Sequence, residues 1–445
     1  MKENITKYFR LLLRNYFLII AVILFLIPFF WFSKGEIDTG GDSSRLYFID
    51  PFTWLKNIPL YTINSLNSLN IDNPNFHLIP FLFFLTGLKY LLGGNSHLLN
   101  CAFSGLLLSG SFIFTFLSIR EIISNDQNEK NDIFALIGGL FFSFSPLVME
   151  GWLKSLYGFN QILVYPAVFY IFLKYIKSQK IIYIYLNVLI CFLFSLNFSF
   201  STAPWFFAFF PFAFLFLFLY SSALKKRKMF IKGLFLFVCL FIFSQSFHLI
   251  SQVVNIFDFS NPNSRAIFSK ELAENRGLVY FSSLQPYSRL LYNFLNQSQL
   301  HLPKGIDSFD YGLKQRYLYF LYIIIVILAG IFIKKKVSLL HKKIYSSLIL
   351  IFLILSFFMS ANITHYLAEF YKLLFVIPGF AMFRSFYSKF GMAYGFFYAV
   401  LLSFSLKLLF DLVKFKFVKY IILLFLFGLI IFNSWPLVSG SIVNT

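Results

Sequence analysis

The sequence predicts an all-α polytopic membrane protein with about eleven bilayer crossings, and three observations carry that expectation. Apolar runs of about 17–22 residues recur along the chain, the length a helix needs to span the hydrocarbon layer. Mean hydropathy is +0.75, and 67 Phe and 26 Tyr stand among 445 residues; a soluble core cannot absorb so much apolar chain. Lysines and arginines gather in short clusters between the runs, as cytoplasmic loops do.

Parity from the clearest basic clusters, 2–14, 174–180, 225–232, 334–343 and 414–419, assigns the sides. With 120–132, Lys407 and the neighbouring Asp411, the cytoplasmic side then holds 23 Lys/Arg against 6 Asp/Glu, and the outer side 15 against 12. The net charge of +20 therefore sets orientation, N-terminus inside and C-terminus outside, and is not a nucleic-acid footprint. Trp31, Trp54, Trp152, Trp205 and Trp435 all fall at or beyond the outer edge, where an interfacial belt belongs.

The first run, 16–32, ends in Phe29-Phe30-Trp31-Phe32 rather than a small-residue cleavage site, so it reads as a retained anchor. The chain then stays outside over 34–96. Asp50-Pro51 reads as an N-cap with proline at the first helical position, opening a helix that lies in the interface. The run 76–92 is apolar enough to span, yet parity requires one crossing fewer than the runs offer. Interrupted by Pro80, Gly87 and Lys89 and closed by Gly93-Gly94, it is expected to be juxtamembrane or re-entrant. Crossings follow at 97–119, 133–149, 159–175, 181–200, 203–220, 229–250, 317–333, 344–359, 392–413 and 420–435. Two further outer loops are long, 251–316 and 361–391. The whole chain reads as a single transmembrane domain, without a phosphate loop or a sandwich-type soluble domain. Cys101, Cys191 and Cys239 each sit inside an apolar run and read as small core residues. The six histidines are scattered, and none forms a zinc-type pair.

The chemistry is expected in the first outer loop, Gly35-Glu-Ile-Asp38-Thr-Gly40-Gly41-Asp42-Ser-Ser-Arg45-Leu-Tyr-Phe-Ile-Asp50-Pro51. Glycosyl transfer from a lipid phosphate needs a base for the acceptor hydroxyl and cations for the developing phosphate charge. Asp42 supplies the first; a loop aspartate is, in general, more often merely solvated. Asp38 is a second carboxylate that could orient Arg45 or a divalent cation, and plain solvation explains it equally well. Arg384 and Lys389, with Arg289 behind them and Arg45 in the loop itself, are the candidates for the donor phosphate. Ordinary snorkelling to lipid headgroups is the competing account. Glu150 could bind acceptor hydroxyls and Trp152 could stack on a sugar, although an interfacial-belt role suits Trp152 slightly better. No metal ligand set and no cofactor is assigned beyond that divalent cation.

The stretch Asp42-Ser-Ser-Arg-Leu-Tyr-Phe-Ile-Asp-Pro51 resembles the first-loop motif of the α-(1→3)-arabinofuranosyltransferases, which have the GT-C fold. Leu140-Phe-Phe-Ser-Phe-Ser145-Pro146 is similar to that family's Ala-Leu-Ser-Pro segment, and Pro166 falls where the family has a proline in the next span. Phe383-Arg384 with Lys389-Phe390 is similar to an Arg-x-x-x-x-Lys-Phe pattern of related large membrane transferases. Two departures stand out: the chain stops after Trp435-Pro436, where larger relatives continue into outer domains, and the pattern between Ser145 and Pro166 differs. The resemblance implies a GT-C-like bundle in a plasma membrane that moves a sugar from a polyprenyl-phosphate donor to a cell-envelope glycan or lipid-linked acceptor. Asp42 would be the base, on the outer face. A transporter or flippase of lipid-linked saccharides is the alternative, and it calls for ionisable residues within the spans and matched repeats. A non-catalytic scaffold is a third reading, against which the clustered carboxylates speak.

Overall fold

The structure is a computed structural model that describes residues 16–37, 45–66, 76–123, 132–145, 156–199, 202–257, 322–333, 337–359, 365–377, 380–383, 386–413 and 415–439. These residues form helices and connecting turns, with no strand among them. Five of the helices are long and apolar enough to cross a membrane: Ser96–Ile123, Ala203–Ala223, Arg227–Ile250, Leu339–Met359 and Lys389–Leu412. This is a helical architecture of membrane-protein type.

Helix α1 (Tyr16–Leu26) shows how the apolar runs are used. Phe17, Ala21 and Leu24 face inward at helical spacing, while Leu18, Ile19, Val22 and Ile23 stay exposed. An exposed stripe of that kind suits lipid and not water. Helices α2 (Pro51–Leu66) and α3 (Ile79–Leu91) lie between α1 and α4 (Ser96–Ile123) in sequence. Gly93 and Gly94, at φ +69° and +78°, end α3 with their amides on the Tyr90 and Lys89 carbonyls. This left-handed reversal, which glycine adopts without Cβ strain, turns the chain into α4.

α4 is a hub. It packs against α1, α5 (Asp132–Ser143) and α6 (Leu156–Ser178), and its small residues allow close approach. A Cβ at Gly105 would collide with the Phe25 backbone carbonyl, and one at Gly110 with Leu163. Gly138 of α5 lies equally close to Ser403 and Ile119. Hydroxyls buried in these helices satisfy themselves on the preceding turn, as Ser118 does on Phe114 and Ser356 on Phe352, so they cost little in an apolar interior. Ser111 and Ser143 also meet at 3.0 Å between α4 and α5.

Helices α7 (Ile182–Leu193), α8 (Ala203–Ala223) and α9 (Arg227–Phe257) extend the bundle. Beyond them come α10 (Tyr322–Phe332), α11 (Leu339–Met359), a short α12 (His365–Leu373), α13 (Phe386–Leu412) and α14 (Lys416–Val438). Over the most apolar stretch of α13, 94% of the residues are buried, which makes it the second hub, flanked by α11, α5 and α8. α14 exposes Phe417, Tyr420, Leu424, Ile431 and Phe432. The reading of all three cysteines as core residues needs correction for one of them: Cys101 and Cys191 are buried, but Cys239 is exposed. It lies on α9, whose apolar window is only 22% buried, so most of that helix faces outward.

Ion pairs define one end of the bundle. Glu121 at the end of α4 binds Lys174 and Lys177 of α6, the latter at 3.0 Å. Arg120 meets Asp132 of α5 at 3.0 Å, and Lys226 donates to the Lys177 carbonyl at 2.8 Å. At the opposite end α1 finishes, α4 begins and α7 finishes. Both ends of the 76–91 segment lie there too. The Ser195 hydroxyl donates to the His77 carbonyl at 2.6 Å, and Lys89 donates to the Ile49 carbonyl at 2.5 Å.

Candidate functional site

The acidic loop is held at its two flanks, both at the end of the bundle opposite the ion pairs. On the first flank the Ser33 amide donates to the Glu36 carboxylate at 2.7 Å, closing a turn after buried Trp31 and Phe32. The Glu36 carbonyl then accepts from His97 Nδ1 at 2.8 Å, which ties this flank to the first turn of α4. On the second flank a 3-10 turn over Arg45–Phe48 buries Tyr47 and Phe48. The Phe48 and Phe81 rings meet Phe103 of α4 at 5.4 and 5.6 Å, and Tyr47 meets Phe81 at 6.0 Å. The Ile49 carbonyl accepts from Ser96 at 2.8 Å as well as from Lys89. Both anchors therefore rest on the N-terminal half of α4, and the second rests on α3 as well.

Asp50 is the N-cap that the Asp-Pro pair implies. Its carboxylate accepts from the Thr53 hydroxyl at 2.6 Å and from the Thr53 amide at 3.2 Å. Those two bonds, the hydroxyl first, hold its carboxyl below the usual carboxylate range. The cap therefore contributes stability above the unfolded pKa of about 3.9, and that contribution is lost as pH falls through the lowered folded value. Asp50→Ala is expected to cost about 1 kcal/mol, and Asp50→Asn almost nothing. Thermal unfolding between pH 7 and pH 3 checks this: the Asp50→Ala deficit should shrink in acid.

Lys389, on the first turn of α13, is half-buried, and its ammonium stands 3.2 Å from the centre of the Trp205 ring. This cation–π contact joins the starts of α8 and α13. Beneath it Phe390 stacks on Phe358 at 4.4 Å and on Phe383 at 5.2 Å, and Tyr371 donates to the Phe383 carbonyl at 3.0 Å. Alongside, α12 exposes Tyr366, Phe370 and Leu373. A cation over an aromatic floor, beside an amphipathic helix, can meet the headgroup of a lipid.

Of the residues singled out from sequence, Lys389 and the backbone of Arg45 are therefore placed at this end of the bundle. Asp38, Asp42, Glu150, Trp152, Arg289 and Arg384 lie outside the described residues, as do Gly40, Gly41 and Pro146.

The structure also gathers polar groups that a search for charges passes over. His77, just before α3, and His248 of α9 are buried, with ring centroids 6.2 Å apart. Burial first, and His248 second, lower the His77 pKa to about 3, so it stays neutral. His248 Nε2 donates to the side-chain Oε1 of Gln245 at 2.8 Å, and Gln245 Nε2 donates to the Cys191 backbone carbonyl at 2.9 Å. Asn160, Gln161, Asn187 and Asn197 are fully buried in the same group of elements. The sequence signal was available: amides and imidazoles inside or beside apolar runs, where each must find a partner or cost about 1–3 kcal/mol. Among the described residues no group of three His, Cys, Asp or Glu side chains is placed to hold a metal ion.

The chain matches no protein-family model and no curated protein.

Proposed function

We propose that the protein is a GT-C-type membrane glycosyltransferase with about eleven crossings, its N-terminus and basic end cytoplasmic. It moves a sugar from a polyprenyl-phosphate donor to a cell-envelope glycan or lipid-linked acceptor on the outer face of the plasma membrane. One observation carries the reading: both flanks of the acidic loop are fastened to α4 at the bundle end opposite the basic ion-pair cluster. Lys389 stands at that same end. A loop fastened at both ends is what a base needs to meet its proton at hydrogen-bond range.

In this mechanism Asp42 takes the proton of the acceptor hydroxyl as that oxygen attacks the anomeric carbon. The bond from that carbon to the phosphate oxygen breaks, and polyprenyl phosphate leaves with its charge held by Lys389, Arg384, Arg289 and Arg45. Glu150 and Trp152 receive the acceptor, and Asp38 orients Arg45 or a divalent cation. The test is release of polyprenyl phosphate by reconstituted protein across a panel of polyprenyl-phosphate pentoses and hexoses with envelope acceptors. Turnover that depends on Asp42 supports the reading. Absence of turnover with every donor, together with donor movement between leaflets, would favour a transporter.

Lys389→Gln is expected to raise the donor KM more than it lowers kcat, since it removes a charge that meets the phosphate in both ground and transition states. Donor binding should also draw Lys389 off Trp205 and change indole emission. A Trp205 signal insensitive to donor would remove Lys389 from the site.

The transporter reading has one observation of its own, the buried His248 of α9, which meets His77 at 6.2 Å between ring centroids, because a polar group within a span often marks a pathway. Leaflet-movement assays on the same proteoliposomes separate the two.

A further inference from the structure

Buried amides lie along the seam between three adjoining elements, where, among the described residues, no protein group meets their polar atoms. Among the described residues, both polar atoms of the Asn160, Asn187 and Asn197 side chains are buried without a hydrogen-bond partner. The Gln161 amide nitrogen and the Tyr165 hydroxyl share that state. These side chains belong to elements that pack together. α6 carries Asn160, Gln161 and Tyr165; α7 carries Asn187; the 3-10 turn Ser195–Phe198 carries Asn197 and packs on both helices.

Ring contacts bring the elements closer still. Phe210 touches Tyr165 at 5.0 Å on one side and Phe198, the neighbour of Asn197, at 6.0 Å on the other. Gln161 and Tyr165 stand four residues apart on one face of α6, and Asn187 stands one turn before Cys191 on α7. The Cys191 carbonyl is the one bound by Gln245, which links the seam to His248 and His77.

We propose that this seam is an internal binding site for uncharged hydroxyl groups, either those of water or those of a neutral sugar. The inference does not rest on the glycosyltransferase reading. Asparagine and glutamine side chains both donate and accept, and so does a phenol. Water and alcohols match both roles in one group. None of the residues named here carries a fixed charge, so neither an anion nor a cation finds a counter-ion. Buried polar groups in native proteins are almost always satisfied, often by internal water. Several unsatisfied amides on adjoining elements mark a place where such groups belong.

Two measurements on the full chain in nanodiscs test it. Hydroxyl-radical footprinting of the wild type generates radicals from ordered internal water. Tyr165 and Cys191 should be oxidised several-fold faster than Tyr220, which is equally buried but packed on the Glu121 carbonyl. In the second, Asn160→Leu, Asn187→Leu and Asn197→Leu are followed by thermal unfolding. If the seam holds hydroxyl groups, each leucine removes a satisfied partner and lowers the midpoint. If the seam is dry, leucine relieves a buried polar group and raises it. Tyr165 oxidation no faster than that of Tyr220 overturns the proposal, as do raised midpoints. The footprinting arm needs no variant, so misfolding of a leucine protein leaves it intact. A neutral monosaccharide that raises the wild-type midpoint, but not that of Asn197→Leu, identifies sugar as the source of the hydroxyls. An unchanged midpoint identifies water.

Discussion

Asp42→Asn is expected to reduce sugar transfer by roughly 10²–10⁴ while leaving the thermal unfolding midpoint where it is. Asparagine keeps the size and the hydrogen-bonding shape of aspartate but cannot accept the acceptor's proton. Stability should not move, because the loop is fastened by its flanks. The Glu36–His97 contact, the Tyr47–Phe48–Phe81–Phe103 aromatic group and the Ile49 carbonyl hold those flanks. Asp50→Asn serves as the internal control, since its carboxylate is engaged as a cap. Asp38→Asn should fall between the two if it positions Arg45 or a cation. Initial rates of polyprenyl-phosphate release, measured beside unfolding curves, decide the matter. Full activity in Asp42→Asn would refute the assignment, and an indispensable Asp38 would move the base to that residue.

Gly105→Ala should destabilise the protein by about 1–3 kcal/mol and depress activity with it. The added methyl meets the Phe25 backbone oxygen and the Phe25 ring, and backbone cannot rotate aside as a flexible side-chain end can. The whole of α1 would have to lift from α4. Because α1 leads directly into Trp31, Phe32 and Glu36, the lift displaces one flank of the acidic loop. Gly87→Ala in α3 is the matched control, since a Cβ there meets nothing within 4 Å; helix propensity alone predicts a gain of about 0.5–1 kcal/mol. Equal unfolding midpoints for the two variants would show that the α1–α4 contact yields to a methyl group without cost.

The contrast between Asp50 and His77 shows how far local chemistry reaches. An aspartate before proline ahead of a helix is a capping signal in any context, so Asp50 was legible from three residues of sequence. The end of 76–92 was legible as well, because Gly93-Gly94 can reverse a helix without strain. His77 and His248 were not: nothing local relates two residues brought together by the packing of a 3-10 turn against a distant helix. Lys389 was legible as a cation just before an apolar run, but its seat over Trp205 depends on where α8 and α13 begin relative to one another. The same holds for the amide seam, whose members sit on three elements and have meaning only together.

By itself the sequence determined that the chain is helical, that its apolar runs suit a bilayer, and where the basic clusters and the acidic loop fall along it. Length, composition and charge suffice for that, because they act segment by segment. Only the tertiary structure decided which apolar helix is core and which is surface. α4 and α9 are nearly equal in hydropathy, yet 78% of the residues in the α4 window are buried against 22% in that of α9. In a soluble protein an amphipathic stripe would have announced the difference. Here lipid and protein interior are equally apolar, so no free energy of transfer separates the faces. The choice rests on packing, on small residues such as Gly105 and Gly138 that let helices approach, and packing exists only once the partner helices are in place.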